Sequence, residues 1–127
     1  MDLPTPPTPR LFGTGPVLPV HDIPTAIEWY VSQLGFARDF GEEIHPGHGS
    51  VTRDRVGIQF TRAPEGYVAA AYPGWFYFFV ENIDAFDAEF RANGVTALRP
   101  LANQPHGMRE FEIADVNGYR LRFGQYL

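Results

Sequence analysis

Val17-Leu18-Pro19-Val20-His21-Asp22-Ile23-Pro24-Thr25-Ala26-Ile27-Glu28-Trp29-Tyr30-Val31-Ser32-Gln33-Leu34-Gly35 reads as a strand, a cap, a helix and a stop. Val17, Leu18 and Val20 make a short strand, and Pro16 and Pro19 mark it as an edge or irregular one. Asp22 stands where an N-cap belongs, with Pro24 in the first helical turn. Ile23, Ala26, Ile27, Tyr30, Val31 and Leu34 recur at helical spacing along one face, and Gly35 ends the run. Three strand readings follow, Phe36 to Glu43, Ser50 to Arg53 and Val56 to Arg62.

The second half repeats the plan. Trp75 to Val80 reads as a strand, Asn82 as a cap, and Ile83, Phe86 and Phe90 as the apolar face of a helix ending before Gly94. Val95 to Leu101, Met108 to Asp115 and Tyr119 to Gln125 supply three more strands. Val20 and Val80 lie 60 positions apart, Gly35 and Gly94 59. Matching order and spacing predict a duplicated βαβββ unit, hence an α+β fold. The modules run over about 15–62 and 74–125 of a single domain spanning 13–127. Residues 1–12, with prolines at 4, 6, 7 and 9, read as a disordered tail.

Asp115-Val116-Asn117-Gly118 suits a type I turn with glycine in the left-handed region, closing a three-residue hairpin. On that register Ile113 faces Leu121 and Phe111 faces Phe123, all apolar. The opposite face then carries Glu110, Glu112, Arg120 and Arg122, with Glu112 directly across from Arg122. The same alternation puts Val56, Ile58 and Phe60 toward the helices and Gly57, Gln59 and Thr61 on the reverse. Trp75, Tyr77 and Phe79 share that reverse side. Aromatic side chains beside paired charges suggest the wall of a concave site. The competing reading buries them in a domain or subunit interface.

Composition narrows the function. Among 127 residues, ten cations (all arginine) face fifteen acids, a net charge of −5. That balance argues against nucleic acid, whose binding rests on phosphate neutralisation, and suits a small-molecule site, including one for a cationic ligand. The absence of cysteine removes disulfides, thiolate nucleophiles and thiolate metal sites. No apolar run approaches the roughly 20 residues of a membrane span, and the first residues show no basic region followed by an apolar one, so the expected location is cytoplasmic, with no membrane partner. His45 and His48 sit in a Pro/Gly loop that cannot form a helical metal pair, and no GxSxG nucleophile elbow or phosphate loop occurs.

The run Pro19 to Tyr30 followed by Leu34-Gly35-Phe36-Ala37-Arg38-Asp39-Phe40 resembles the opening module of the vicinal-oxygen-chelate superfamily, which contains glyoxalase I, extradiol dioxygenases and bleomycin-resistance proteins. Gln104-Pro105-His106-Gly107-Met108-Arg109-Glu110-Phe111 and Asp115-Val116-Asn117-Gly118 are most similar to the bleomycin-resistance branch, with His106 where that branch typically has tryptophan. The resemblance covers about residues 15–125. It implies two βαβββ modules forming a curled mixed sheet around a shared cavity, usually in a homodimer with modules paired within or between chains. Carried over one by one, the metal-ligand positions of the enzymatic members fall on Gly15, Gln59, Trp75 and Arg122. Of these only Gln59 could coordinate an ion, so neither a metal nor another cofactor is expected.

The expectation is therefore a small-molecule-binding protein of bleomycin-resistance type, without metal and with no catalytic residue assigned. Gln59, Trp75, Tyr77, Phe79, His106, Glu110, Glu112 and Arg122 would form the ligand site. The alternative is a divergent glyoxalase- or dioxygenase-like metalloenzyme recruiting its ion through residues such as Glu110, Glu112 and His106.

Overall fold

Asp22 begins the fold as its chemistry requires: its carboxylate accepts the Thr25 backbone N–H at 2.9 Å, so one orphan donor of the first helical turn is satisfied. The computed structural model describes residues 2–127. In chain order they form β1 (Val17–Val20), α1 (Ile23–Leu34), β2 (Ala37–Phe40), β3 (His48–Arg53), β4 (Val56–Arg62), a 3-10 turn at Ala69–Ala71, β5 (Phe76–Phe79), α2 (Ile83–Ala92), β6 (Ala97–Asn103), β7 (Met108–Ala114) and β8 (Arg120–Tyr126). Gly35 closes α1 at φ 69°, which a side chain would resist.

Two βαβββ modules are present, each forming a four-stranded mixed sheet. The strand orders match, β1-β4-β3-β2 and β5-β8-β7-β6, with β1–β4 and β5–β8 parallel and the remaining pairs antiparallel. The C-terminal hairpin has the expected register, Ile113 opposite Leu121 and Phe111 opposite Phe123, closed by Gly118 at φ 99°. Its two phenylalanine rings stack at 5.4 Å.

Asn82 departs from expectation. It precedes α2 in the left-handed region (φ 59°, ψ 56°), and its side chain caps nothing. The first N–H of α2, from Ile83, is instead satisfied by the Gln125 side-chain oxygen at 2.9 Å, reaching up from β8. Strand β2 also stops at Phe40 rather than continuing to Glu43, because the chain turns at Gly41. Residues 95 and 96 lie outside β6.

One apolar core serves both modules. Leu18, Ile58 and Phe60 of the first sheet join Phe78, Phe111 and Phe123 of the second in one cluster with Ile23, Tyr30 and Phe90 from the helices. Each such buried side chain contributes about 1.5–3 kcal/mol. Both sheets thus turn their helix-facing sides inward, and their other faces lie outside the shared core. Polar bonds cross the same seam: Tyr30 Oη donates to Asp115 Oδ2 at 2.7 Å, and Tyr119 Oη donates to the Pro19 carbonyl at 2.6 Å. No helix of the described residues is long and apolar enough to cross a membrane.

Candidate functional site

The open face of the second sheet gathers six of the eight residues expected from sequence, and His106 joins them from the β6–β7 turn. Pleat alternation sends Trp75, Tyr77 and Phe79 to this side. Trp75, just before β5, and Phe79 at its end are 45% and 65% exposed. These are large apolar side chains left in solvent on one face, with Tyr77 between them. The Phe79 ring lies 4.9 Å from that of Tyr77 and stacks on Tyr126 at 5.7 Å.

Glu112 and Arg122 face each other across β7 and β8 as predicted. Arg122 Nε donates to Glu112 Oε1 at 3.2 Å, while its guanidinium lies 3.8 Å over the Trp75 ring. One cation therefore neutralises the buried carboxylate and braces the indole.

Glu110 is handled differently. Gly124, its cross-strand neighbour on β8, has no side chain, and a Cβ there would collide with the Tyr77 hydroxyl. That gap lets Tyr77 reach from β5 across β8 and donate to Glu110 Oε2 at 2.6 Å. His106 Nε2 meets the same oxygen at 3.3 Å. Beneath these two side chains Glu110 is only 2% exposed, and its other oxygen, Oε1, has no partner. Burial pushes the Glu110 carboxyl up, but hydrogen bonds from Tyr77 and His106 and the nearby charge of Arg122 prevail and hold it below its usual range. Burial and the Glu110 carboxylate drive the Tyr77 phenol well above its usual value.

Gln59 stands apart from this group. It is an exposed residue on the open face of the first sheet, paired with Val17 of β1 and Ser50 of β3. Gly15, two residues before β1, runs beside Gly57 of β4. Positions 15 and 59 thus lie at the first sheet, and 75 and 122 at the second. These four positions do not fit a divalent ion. Glycine offers no donor, tryptophan no lone pair, and Arg122 a fixed positive charge already committed to Glu112. The alternative trio is divided too, since His106 meets Glu110 whereas Glu112 meets Arg122. Among the described residues no three His, Cys, Asp or Glu side chains gather in a metal-holding group.

Two features went unread in the sequence. Arg53 spans the modules, donating to the Leu34 carbonyl at 2.7 Å and to both Glu89 oxygens at 2.6 and 3.0 Å, with its guanidinium 4.6 Å over Phe86. Beside it a cavity of about 570 Å³ opens on the helix-facing side, and of the eight expected site residues only Phe79 lines it. Asp115, read as a turn former, is also the buried acceptor for Tyr30. Nothing local to Arg53 or Asp115 announces partners 36 and 85 residues away.

Repeated βαβββ modules with outward-turned sheet faces define the paired-module class of small α+β proteins. A model of the Glyoxalase/Bleomycin resistance protein/Dioxygenase superfamily matches residues 14–123, and the chain belongs to that superfamily. The fold is similar to the bleomycin-binding protein of the bleomycin producer Streptomyces verticillus, solved with copper(II)-bleomycin (26% identity, TM-score 0.75, covering 91% of this chain and 97% of that one). It is also similar to TioX from Micromonospora sp. ML1 (22%, TM-score 0.71, 91% and 100%) and to a glyoxalase-related enzyme from Clostridium phytofermentans (23%, TM-score 0.73, 93% and 97%). A search of the curated proteins gives no match.

Proposed function

We propose that the chain is a binding protein of bleomycin-resistance type, which sequesters a small aromatic molecule on the open face of the second sheet without a metal ion. The observation that carries this reading is the exposed pair Trp75 and Phe79, with the indole held flat by Arg122. Such a wall offers stacking surface, worth on the order of 0.5–1.5 kcal/mol per ring beyond the area buried. The similarity to a protein solved with copper(II)-bleomycin supports an organic ligand. Tyr77 and His106 line the face beside the stacking wall, and Glu110, Glu112 and Arg122 supply its polar groups.

One face of one sheet is not yet a hollow. Because both sheets turn inward to a shared core, Gln59 of the same chain cannot close over Trp75. We place it opposite Trp75 through a homodimer, in which the first sheet of one copy meets the second sheet of its partner. Strands β1 and β5 are edges with one side unpaired, which supports such an approach. Three measurements test the reading. Calorimetric titration with aromatic ligands, cationic glycopeptides included, should give saturable binding that Trp75→Ala weakens at least several-fold. Sedimentation should give twice the chain mass of 14.3 kDa. Elemental analysis of protein purified without chelator should find no stoichiometric Ni, Zn, Fe or Mn; finding one would favour the metalloenzyme instead.

A further inference from the structure

We infer that Glu110 Oε1 is the acceptor for an N–H group of the ligand, so that this face selects an aromatic molecule bearing a primary ammonium or amidinium over the same ring system bearing a quaternary cation. This rests on the binding role proposed above and adds the chemistry of the group that accompanies the ring.

An ionised carboxylate only accepts hydrogen bonds, through about four lone-pair sites on two oxygens. One oxygen of Glu110 accepts twice, from Tyr77 at 2.6 Å and His106 at 3.3 Å, and the other has no partner in a site shut off from solvent. A buried acceptor without a partner is among the more costly arrangements in a fold. Glu112, the neighbouring acid on the same face, has no such shortfall on the Oε1 that Arg122 occupies. The unmet demand is therefore local to Glu110, and it calls for a donor and not merely for positive charge.

The two side chains that meet the Glu110 carboxylate through Oε2 differ in how firmly they are held. Tyr77 is held by a short bond and seated in the gap left by Gly124. His106 comes from the turn between β6 and β7, keeps 56% of its side chain exposed, and touches Glu110 through one long bond. In the inferred complex His106 swings aside to open the carboxylate, and Tyr77 stays in place on Oε2. Phe79 shares the register row of Gly124 and Glu110, so a flat ring stacked on it would then carry its amine into the space His106 leaves. A trimethylammonium has the same charge but no N–H, and its methyl groups hold the charge away from the oxygen.

The test compares 2-naphthylmethylammonium with its N,N,N-trimethyl analogue, each titrated calorimetrically into the full chain at neutral pH. The primary amine should bind about tenfold more tightly, the scale of one charge-assisted hydrogen bond. Glu110→Gln, checked by thermal melting, should bring the two within about twofold, because an amide oxygen is a weaker acceptor for a cation. His106→Ala, which removes the loose cover and keeps Glu110, should retain or increase the preference. Equal affinities for the wild-type chain would overturn the inference while leaving the stacking site intact. Saturable binding of neither probe would overturn both.

Discussion

Tyr77, Gly124 and Glu110 form a unit in which each residue explains the next. The missing side chain at 124 makes room for the phenol, the phenol covers the carboxylate, and the carboxylate raises the phenol's affinity for its proton. Gly124→Ala should force the phenol out and cost about 1–3 kcal/mol, the range for crowding a packed site and for orphaning a buried acceptor. Denaturant unfolding would measure it. A double-mutant cycle sharpens the point: Tyr77→Phe should cost clearly less when Gly124→Ala is already present than in wild type, and additive losses would show that the two residues act independently. Asp115 is a second such unit, accepting Tyr30 Oη and the backbone N–H groups of Asn117 and Tyr119. Tyr30→Phe leaves its Oδ2 unpaired in the core and should cost about 1–3 kcal/mol.

The helices show how similar modules solve the same problem differently. Helix α1 carries its own cap in Asp22, and Asp22→Ala should cost about 1 kcal/mol. Helix α2 takes its cap from Gln125 on β8, while Asn82 serves by its backbone conformation. Replacing Asn82 with alanine should therefore destabilise by about 1 kcal/mol through left-handed strain, whereas glycine should leave stability nearly unchanged. If alanine and glycine behave alike, the conformation at 82 is not what positions α2.

Because the modules share one core and the Arg53–Glu89 and Tyr30–Asp115 bridges, they should unfold together. The two tryptophans report on one module each, Trp29 on the first and Trp75 on the second. Trp29→Phe and Trp75→Phe variants, each followed through its remaining indole, should give transitions of the same shape relative to their own circular-dichroism curves. A module melting alone would contradict the shared core. Acidity acts through the same seam. Burial raises the Asp115 carboxyl above its ordinary value of 3.8, against the hydrogen bonds from Tyr30 and the turn that favour the ionised form. The folded protein then holds this proton more tightly than the unfolded chain. The associated stability is full below about pH 4 and is lost as pH rises through the folded value. The stability margin of wild type over Asp115→Asn should shrink across that window, and a margin that grows would reverse the assignment.

Much of this protein was legible along the chain. Periodicity, caps and the near-equal spacing of the two halves specified both modules, because helix and strand patterns are local, and a pleat of period two settles which side chains share a face. Glu112 opposite Arg122, and Trp75, Tyr77 and Phe79 on one side, followed from that alternation alone. Packing decided the rest. That Asn82 would leave its helix to be capped by Gln125, that Asp115 would serve Tyr30, and that Tyr77 would shelter Glu110 all depend on side chains 33 to 85 residues apart. Local pattern specifies the direction of a side chain from its strand; it says nothing of what arrives from elsewhere to meet it. That meeting depends on how two inward-facing sheets share one core, a property of volumes and distances and not of spacing along the chain.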